Sequence, residues 1–261
     1  YVMSNTVLSC DTFINLPKLK PHKLGGITCC LKNIVGTCVV KNSLPHHTTG
    51  SPEAFGDQFP LMSGRTQAEG TLKKIAASLL KYKNPLISYP IGLAKKATGN
   101  ILGEQTSATV RNGSWYGNDT IWRTILDLNR ILFYADKQGT MKNTPQRKYY
   151  AIVDGVVAGE GDGPMDVDAK EAGILIAGSD PVAIDAVAST LIGFDYRKIP
   201  TVIQSFAMMR WPLTRDTPDD IRIKSNKANW NGALGNIALD STLSFKPHFG
   251  WLGHIEMENR E

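Results

Sequence analysis

The chain alternates short apolar runs with helical repeats of apolar residues, and each kind of pattern predicts an element. Residues 11–16 (DTFINL) read as a short buried strand, ended by Pro17, which brings no N–H to a ladder. In open α/β sheets ligands bind in the loops that follow strand C-termini, which gives the residues after Leu16 added weight. Residues 28–40 mix small, β-branched and cysteine side chains and fit no single element. Residues 43–65, rich in Pro, Gly, His and Thr, form a loop of a length usually reserved for functional or mobile segments. Over 67–81, Ala68, Leu72, Ile75, Ala76, Leu79 and Leu80 recur at helical spacing with lysines between them, an amphipathic helix that Pro85 and Pro90 break. Residues 119–136 give the clearest helix, with Ile121, Trp122, Ile125, Leu128, Leu132 and Phe133 on one face and Asp119 as its N-cap.

Two further apolar runs, 148–153 (KYYAIV) and 172–177 (AGILIA), read as strands that end in the turn residues Asp154-Gly155 and Gly178. Ser179-Asp180-Pro181 then supplies an N-cap and a proline in the first turn of an Ala-rich helix over 182–192, closed by Gly193. Another helix is expected over 200–209, and residues 212–261 form a less regular tail. Strands alternating with helices predict an α/β fold, a mostly parallel or mixed sheet with helices on its faces. At about 150 residues per domain, 261 residues allow one or two domains, and the pattern favours a single one over 1–261.

Composition narrows the class. With 42% apolar and 20% charged residues the chain is neither disordered nor fibrous. A net charge of +5 favours an anionic partner but is small for a dedicated nucleic-acid binder. Cys10, Cys29, Cys30 and Cys38 show no CxxC spacing and read as reduced thiols, consistent with a cytoplasmic setting. The uncharged run over 84–94 is too short to cross a bilayer, and no basic-then-apolar leader opens the chain, so no membrane is expected. Tyr1 with a strand close behind reads as a chain lacking an N-terminal segment.

Two stretches carry candidate chemistry. From Thr12 to Pro52 there is no acidic residue, while Lys18, Lys20, Lys23, Lys32 and Lys41 are cationic and His22, His46 and His47 can titrate. Lys18 and Lys20 lie two apart, so an extended PKLKPH segment sends both to one side, with His22 joining them: a fork suited to phosphate or carboxylate. The second stretch, DGVVAGEGDGP, is a glycine-rich loop holding Asp154, Glu160 and Asp162, oxygen ligands suited to a hard divalent cation. It fits neither the EF-hand, the GxGxxG turn nor the P-loop. Asp180 reads as a cap and Asp185 as a buried or partner-bound carboxylate. His46-His47 with Asp57 could supply metal ligands, though exposed loop histidines are commoner. No GxSxG elbow or HExxH is present.

Four blocks in order, DTFINLPKLKPH, ITCCLKNIVG, DGVVAGEGDGP and AGSDPVAIDAVASTLIGFD, resemble the bacterial and archaeal family known as domain of unknown function 362. The resemblance covers residues 11–205 and implies an α/β domain. It gathers Lys18, Lys20, His22, Lys32, Asn33, Asp154, Gly155, Glu160, Gly161, Gly163, Asp180 and Asp185 in its defining blocks. The ferredoxin-like cysteine motifs of many relatives are absent, so no iron–sulfur cluster is carried over. The reading that results is an enzyme or enzyme-like binder of a small anion. Lys18, Lys20, Lys32 and Asn33 would hold the ligand. His22, Asp154 and Glu160 would act as acid or base, and Asp154, Glu160 and Asp162 would hold a divalent cation. The alternatives are a redox or metal-handling accessory built on the cysteines and the histidine loop, and a nucleic-acid-binding module. Phe13 is the only aromatic between Thr12 and Pro52, which argues against the last.

Overall fold

A computed structural model describes residues 1–40, 43–61, 110 and 112–258. The helix expected over 67–81, its breaks at Pro85 and Pro90, and Lys41 lie outside the described residues. A short helix α1 (Asn5–Ser9) precedes β1 (Thr12–Asn15), which stops two residues before Pro17 and, unlike the buried strand expected over 11–16, buries only Asn15 fully. A hairpin of β2 (Lys20–His22) and β3 (Gly26–Thr28) leads into α2 (Cys30–Asn33), which tightens into a 3-10 turn over Ile34–Thr37. The end of β3, α2 and the 3-10 turn are the elements of the stretch 28–40 that periodicity did not resolve. Beyond the loop come α3 (Ile121–Tyr134), β4 (Lys148–Glu160), β5 (Asp168–Gly178), α4 (Pro181–Leu191) and α5 (Pro200–Phe206). A two-stranded ribbon, β6 (Arg222–Ile223) with β7 (Gly232–Ala233), lies in the otherwise irregular tail.

The sheet is mixed and runs β1-β4-β5: β1 pairs with β4 in parallel, and β4 returns antiparallel as β5. Its inner face, with Ala151, Val153 and Ile174 buried, belongs to the main core. On the opposite face Ile14, Leu16 and Leu175 are exposed. The apolar stripe of α3 buries Ile121, Ile125, Leu128 and Leu132 completely. Each such side chain contributes about 1.5–3 kcal/mol by leaving water. Among the described residues no helix is long and apolar enough to cross a membrane.

Three local expectations are corrected. β4 does not end at Asp154-Gly155 but continues to Glu160, so most of the glycine-rich stretch is strand rather than loop. Gly155 is required by packing, since a Cβ there would stand 2.7 Å from Ile174 Cγ1 on the neighbouring strand. Asp119 does not cap α3: Asn118 Oδ1 accepts from the Thr120 and Ile121 N–H groups, while Asp119 Oδ1 accepts from Trp122 Nε1. The helix after Pro200 stops at Phe206, not at residue 209. Asp180 does cap α4, its Oδ1 accepting from Val182 N at 2.8 Å and Ala183 N at 2.9 Å, worth about 1 kcal/mol.

Candidate functional site

Past Pro17 the chain stays alongside β4, because backbone bonds resume there. Asp154 N donates to Pro17 O, Leu19 N to Asp154 O and Gly159 N to Leu19 O, at 2.9, 2.9 and 3.1 Å. Lys18 and Asp154 are therefore parallel neighbours, and Lys18 Nζ meets Asp154 Oδ2 at 2.5 Å and Val157 O at 3.0 Å. Lys18, and after it the Val156 N–H, hold the Asp154 carboxyl below its usual range. Both side chains remain about half exposed, so this pair stabilises little.

The end of the β4–β5 hairpin presses against β2. A Cβ on Gly163 would stand 2.0 Å from Pro21 O, and Lys23 N donates to Gly163 O at 3.0 Å. Lys20 Nζ reaches Pro164 O at 2.7 Å. The basic and acidic stretches thus touch directly, and the hairpin's acids are spent on the tail. Glu160 Oε2 accepts from Lys246 N at 3.1 Å and pairs with Lys170 Nζ at 3.0 Å, and Asp162 Oδ1 accepts from Phe249 N at 3.2 Å. Asp154, Glu160 and Asp162 do not bring their oxygens together. Among the described residues, the cluster with metal-ligating atoms within 4.8 Å of one another is Cys29, Cys30 and Asp185.

His22 is buried in the β2–β3 hairpin, where its Nδ1 accepts from Leu24 N at 3.2 Å and Gly25 N at 3.1 Å. Two donors facing Nδ1 leave the ring proton on Nε2. Burial first, then the charges of Lys32 and Lys23, push its pKa well below the usual value, so the ring is neutral at pH 7. His248 lies close enough to add to that effect. It is buried too, with Nδ1 accepting from Gly250 N at 3.0 Å, and desolvation lowers its pKa to about 4.

Lys32 and Asn33 project from α2. Burial and then the charge of Lys20 lower the Lys32 pKa, which places the two ammonium groups within mutual influence. Among the described residues Lys32 Nζ has no hydrogen-bond or ion-pair partner, and Lys20 Nζ bonds only to a neutral carbonyl. Asn33 Nδ2 donates to Asn15 Oδ1 at 2.7 Å, and Asn15 Nδ2 donates to Cys30 O at 2.9 Å and to Tyr149 OH at 2.8 Å. Asp185 holds the start of α2: Oδ1 accepts from Cys30 N at 2.7 Å and Oδ2 from Leu31 N at 3.1 Å. Burial pushes the Asp185 carboxyl up to about 6 despite these donors.

The site therefore brings together Lys20, Lys32 and the neutral His22, with Lys18 and Asp154 alongside. Sequence reasoning missed Asn15 and Tyr149. Alternation along β1 carried the signal, because Asn15 falls on the inward face and a polar residue there needs partners. In the histidine loop Asp57 accepts from Thr48 N and Asp119 N at 2.5 and 2.8 Å, and His46 Nδ1 bonds to Leu44 O at 2.8 Å. A separate cleft of about 350 Å³ opens between the outer edge of β5, α4 and residues 221–227; of the predicted site residues it touches only Asp180.

A mixed sheet with a basic strand-end segment docked on a β-hairpin defines an α/β protein with its candidate site at the strand ends. Residues 1–190 match the family described as Domain of unknown function (DUF362), and the chain belongs to that family. It is 42% identical over 52 residues to the thylakoid-associated protein sll1697 of Synechocystis sp., a match spanning 20% of this chain and 16% of that protein's length. No solved structure matches.

Proposed function

We propose that this protein binds a small phosphate- or carboxylate-bearing ligand through Lys20 and Lys32. The observation that carries the reading is Lys32, a half-buried cation with no partner among the described residues and a second ammonium near enough to depress its pKa. Two partly desolvated like charges repel, and a bound anion turns that repulsion into attraction. Asn33 and the neutral His22 provide uncharged polar groups beside them. Lys18 plays a lesser part because Asp154 already neutralises it. In the enzyme-like form of this reading the lysines steady developing negative charge and His22 exchanges the proton on Nε2. Asp154 and Glu160 would then hold lysines in place, rather than bind a cation with Asp162.

The test is equilibrium binding of inorganic phosphate and a panel of phosphorylated and carboxylated metabolites at low salt. Lys32→Ala and Lys20→Ala are expected to weaken the tightest ligand about tenfold each, the loss of one charge-assisted contact. Lys137→Ala, remote in an exposed turn, is expected to change it less than about twofold. Equal affinity in all four proteins would sink the assignment. We further place the protein in a reducing, cytoplasmic compartment, a reading supported by Cys10, Cys29, Cys30 and Cys38, all free thiols. The Synechocystis relative is thylakoid-associated, which favours a different placement, and cell fractionation separates the two.

A further inference from the structure

The chain's two adjacent cysteines meet an aspartate from a distant helix in the core. Ligand atoms of Cys29, Cys30 and Asp185 all lie within 4.8 Å of one another. Both thiols are completely buried and Asp185 is 1% exposed. Neighbours in sequence can converge here because Cys29 has a non-helical backbone (φ −152°, ψ −146°) whereas Cys30 begins α2. Each Asp185 oxygen accepts one backbone N–H, and the Cys29 and Cys30 thiols donate to the same carboxylate, so all three groups are within bonding reach of one another. No lysine or arginine hydrogen-bonds or ion-pairs with Asp185 among the described residues. Buried carboxylates are ordinarily matched by a cation or a metal, and this one faces two thiols instead. Two sulfurs and one oxygen suit zinc-type ions; magnesium and calcium prefer all-oxygen shells.

We propose that Cys29, Cys30 and Asp185 bind one thiophilic divalent cation of the zinc type. On binding, both thiols release their protons to solvent, as does Asp185 where it is protonated, and no electrons move. The ion would tie α2 to α4 and so brace the turn that carries Lys32. The proposal stands apart from the anion reading, since phosphate binding is measured on other residues and without added metal.

The test uses the full chain, reduced and stripped with chelator, then given zinc or cadmium. X-ray absorption on the zinc-loaded protein is expected to show two sulfurs at about 2.3 Å, with lighter atoms completing the shell. Cadmium titration is expected to develop thiolate charge-transfer absorption that saturates near one equivalent. Cys29→Ser and Cys30→Ser should each weaken cadmium binding by about tenfold or more, whereas Cys10→Ser should leave it unchanged. A chain that holds no stoichiometric ion, an oxygen-only shell, or absorption that survives both core cysteine changes would overturn the proposal. The X-ray measurement needs no variant, so a serine variant that fails to fold leaves the test intact.

Discussion

The lysine segment over 18–32 and the acidic hairpin end over 160–162 look like complementary halves of one site in sequence, yet the fold treats their charges in opposite ways. At the hairpin end each acid is spoken for: Glu160 by Lys170 and the Lys246 N–H, Asp162 by the Phe249 N–H. In the lysine segment Lys18 is paired, Lys20 meets a carbonyl, and Lys32 meets no partner among the described residues. The lesson is that charge density marks both stretches equally, while unsatisfied charge marks only one. A paired carboxylate fastens two pieces of chain together. An unpaired, half-buried ammonium carries a desolvation cost that nothing among the described residues offsets.

The largest test of this contrast is at Asp185, whose carboxylate anchors α2 beneath Lys32. In metal-free protein Asp185→Ala leaves the Cys30 and Leu31 N–H groups buried without acceptors and is expected to cost about 3 kcal/mol in urea unfolding. Glu160→Gln, at the more exposed hairpin end, is expected to cost no more than about 1 kcal/mol. Comparable losses at the two positions would erase the distinction between a core-anchored and a surface-fastened region.

Acid provides the next test. His248 titrates near its ordinary 6.5 when unfolded and at about 4 when folded, and burial likewise holds the His22 pKa well below its ordinary value. A lowered histidine pKa means the unfolded chain binds the proton more readily. Stability from these rings is therefore full above pH 6.5 and declines as pH falls from 6.5 toward 4. Because the Asp185 carboxyl, raised by burial to about 6, works the other way over the same range, the effect is read as the difference between the wild type and a folded His248→Gln chain, which is expected to change by about 3 kcal/mol between pH 6.5 and 4. A flat difference would show that the ring is not buried as a neutral group.

A smaller effect should have the opposite sign. Lys32→Met removes a half-buried unpaired charge and is expected to stabilise the free protein by about 0.5 kcal/mol while abolishing most anion affinity. Lys170→Met, which breaks the pair with Glu160, is expected to destabilise by a similar amount. Smallest of all, Lys18→Ala should change stability by less than about 0.5 kcal/mol and affinity by less than threefold, because that pair is half exposed. If Lys18→Ala weakened binding more than Lys32→Ala, the ligand would sit over the paired lysine instead.

Much of the framework was legible wherever one local rule acted alone. A strand did form ahead of Pro17, the stripe Ile121-Ile125-Leu128-Leu132 gave α3, and Asp180-Pro181 opened α4 as expected. Local rules misled where a residue type serves two purposes. Asp154-Gly155 looks like a turn, but Gly155 lies inside a long strand because Ile174 leaves no room for a Cβ. At α3 Asp119 and Asn118 are both good caps, and the one that turns its oxygen inward is settled by the chain around it. At the site, the lysines were visible from their spacing, but that Lys18 is paired while Lys32 has no partner among the described residues was not.

The order of strands and helices, the caps and the one-signed basic segment follow from residues close together in the chain, because steric preference, hydrogen bonding to near neighbours and periodic burial act over a few positions. The convergence of Cys29 and Cys30 on Asp185, the bracing of β2 by Gly163 and the contrast between paired Lys18 and unpaired Lys32 belong to the tertiary structure alone. Those outcomes depend on which groups packing removes from water and which oppositely charged atoms it sets beside them, and no local pattern encodes either quantity.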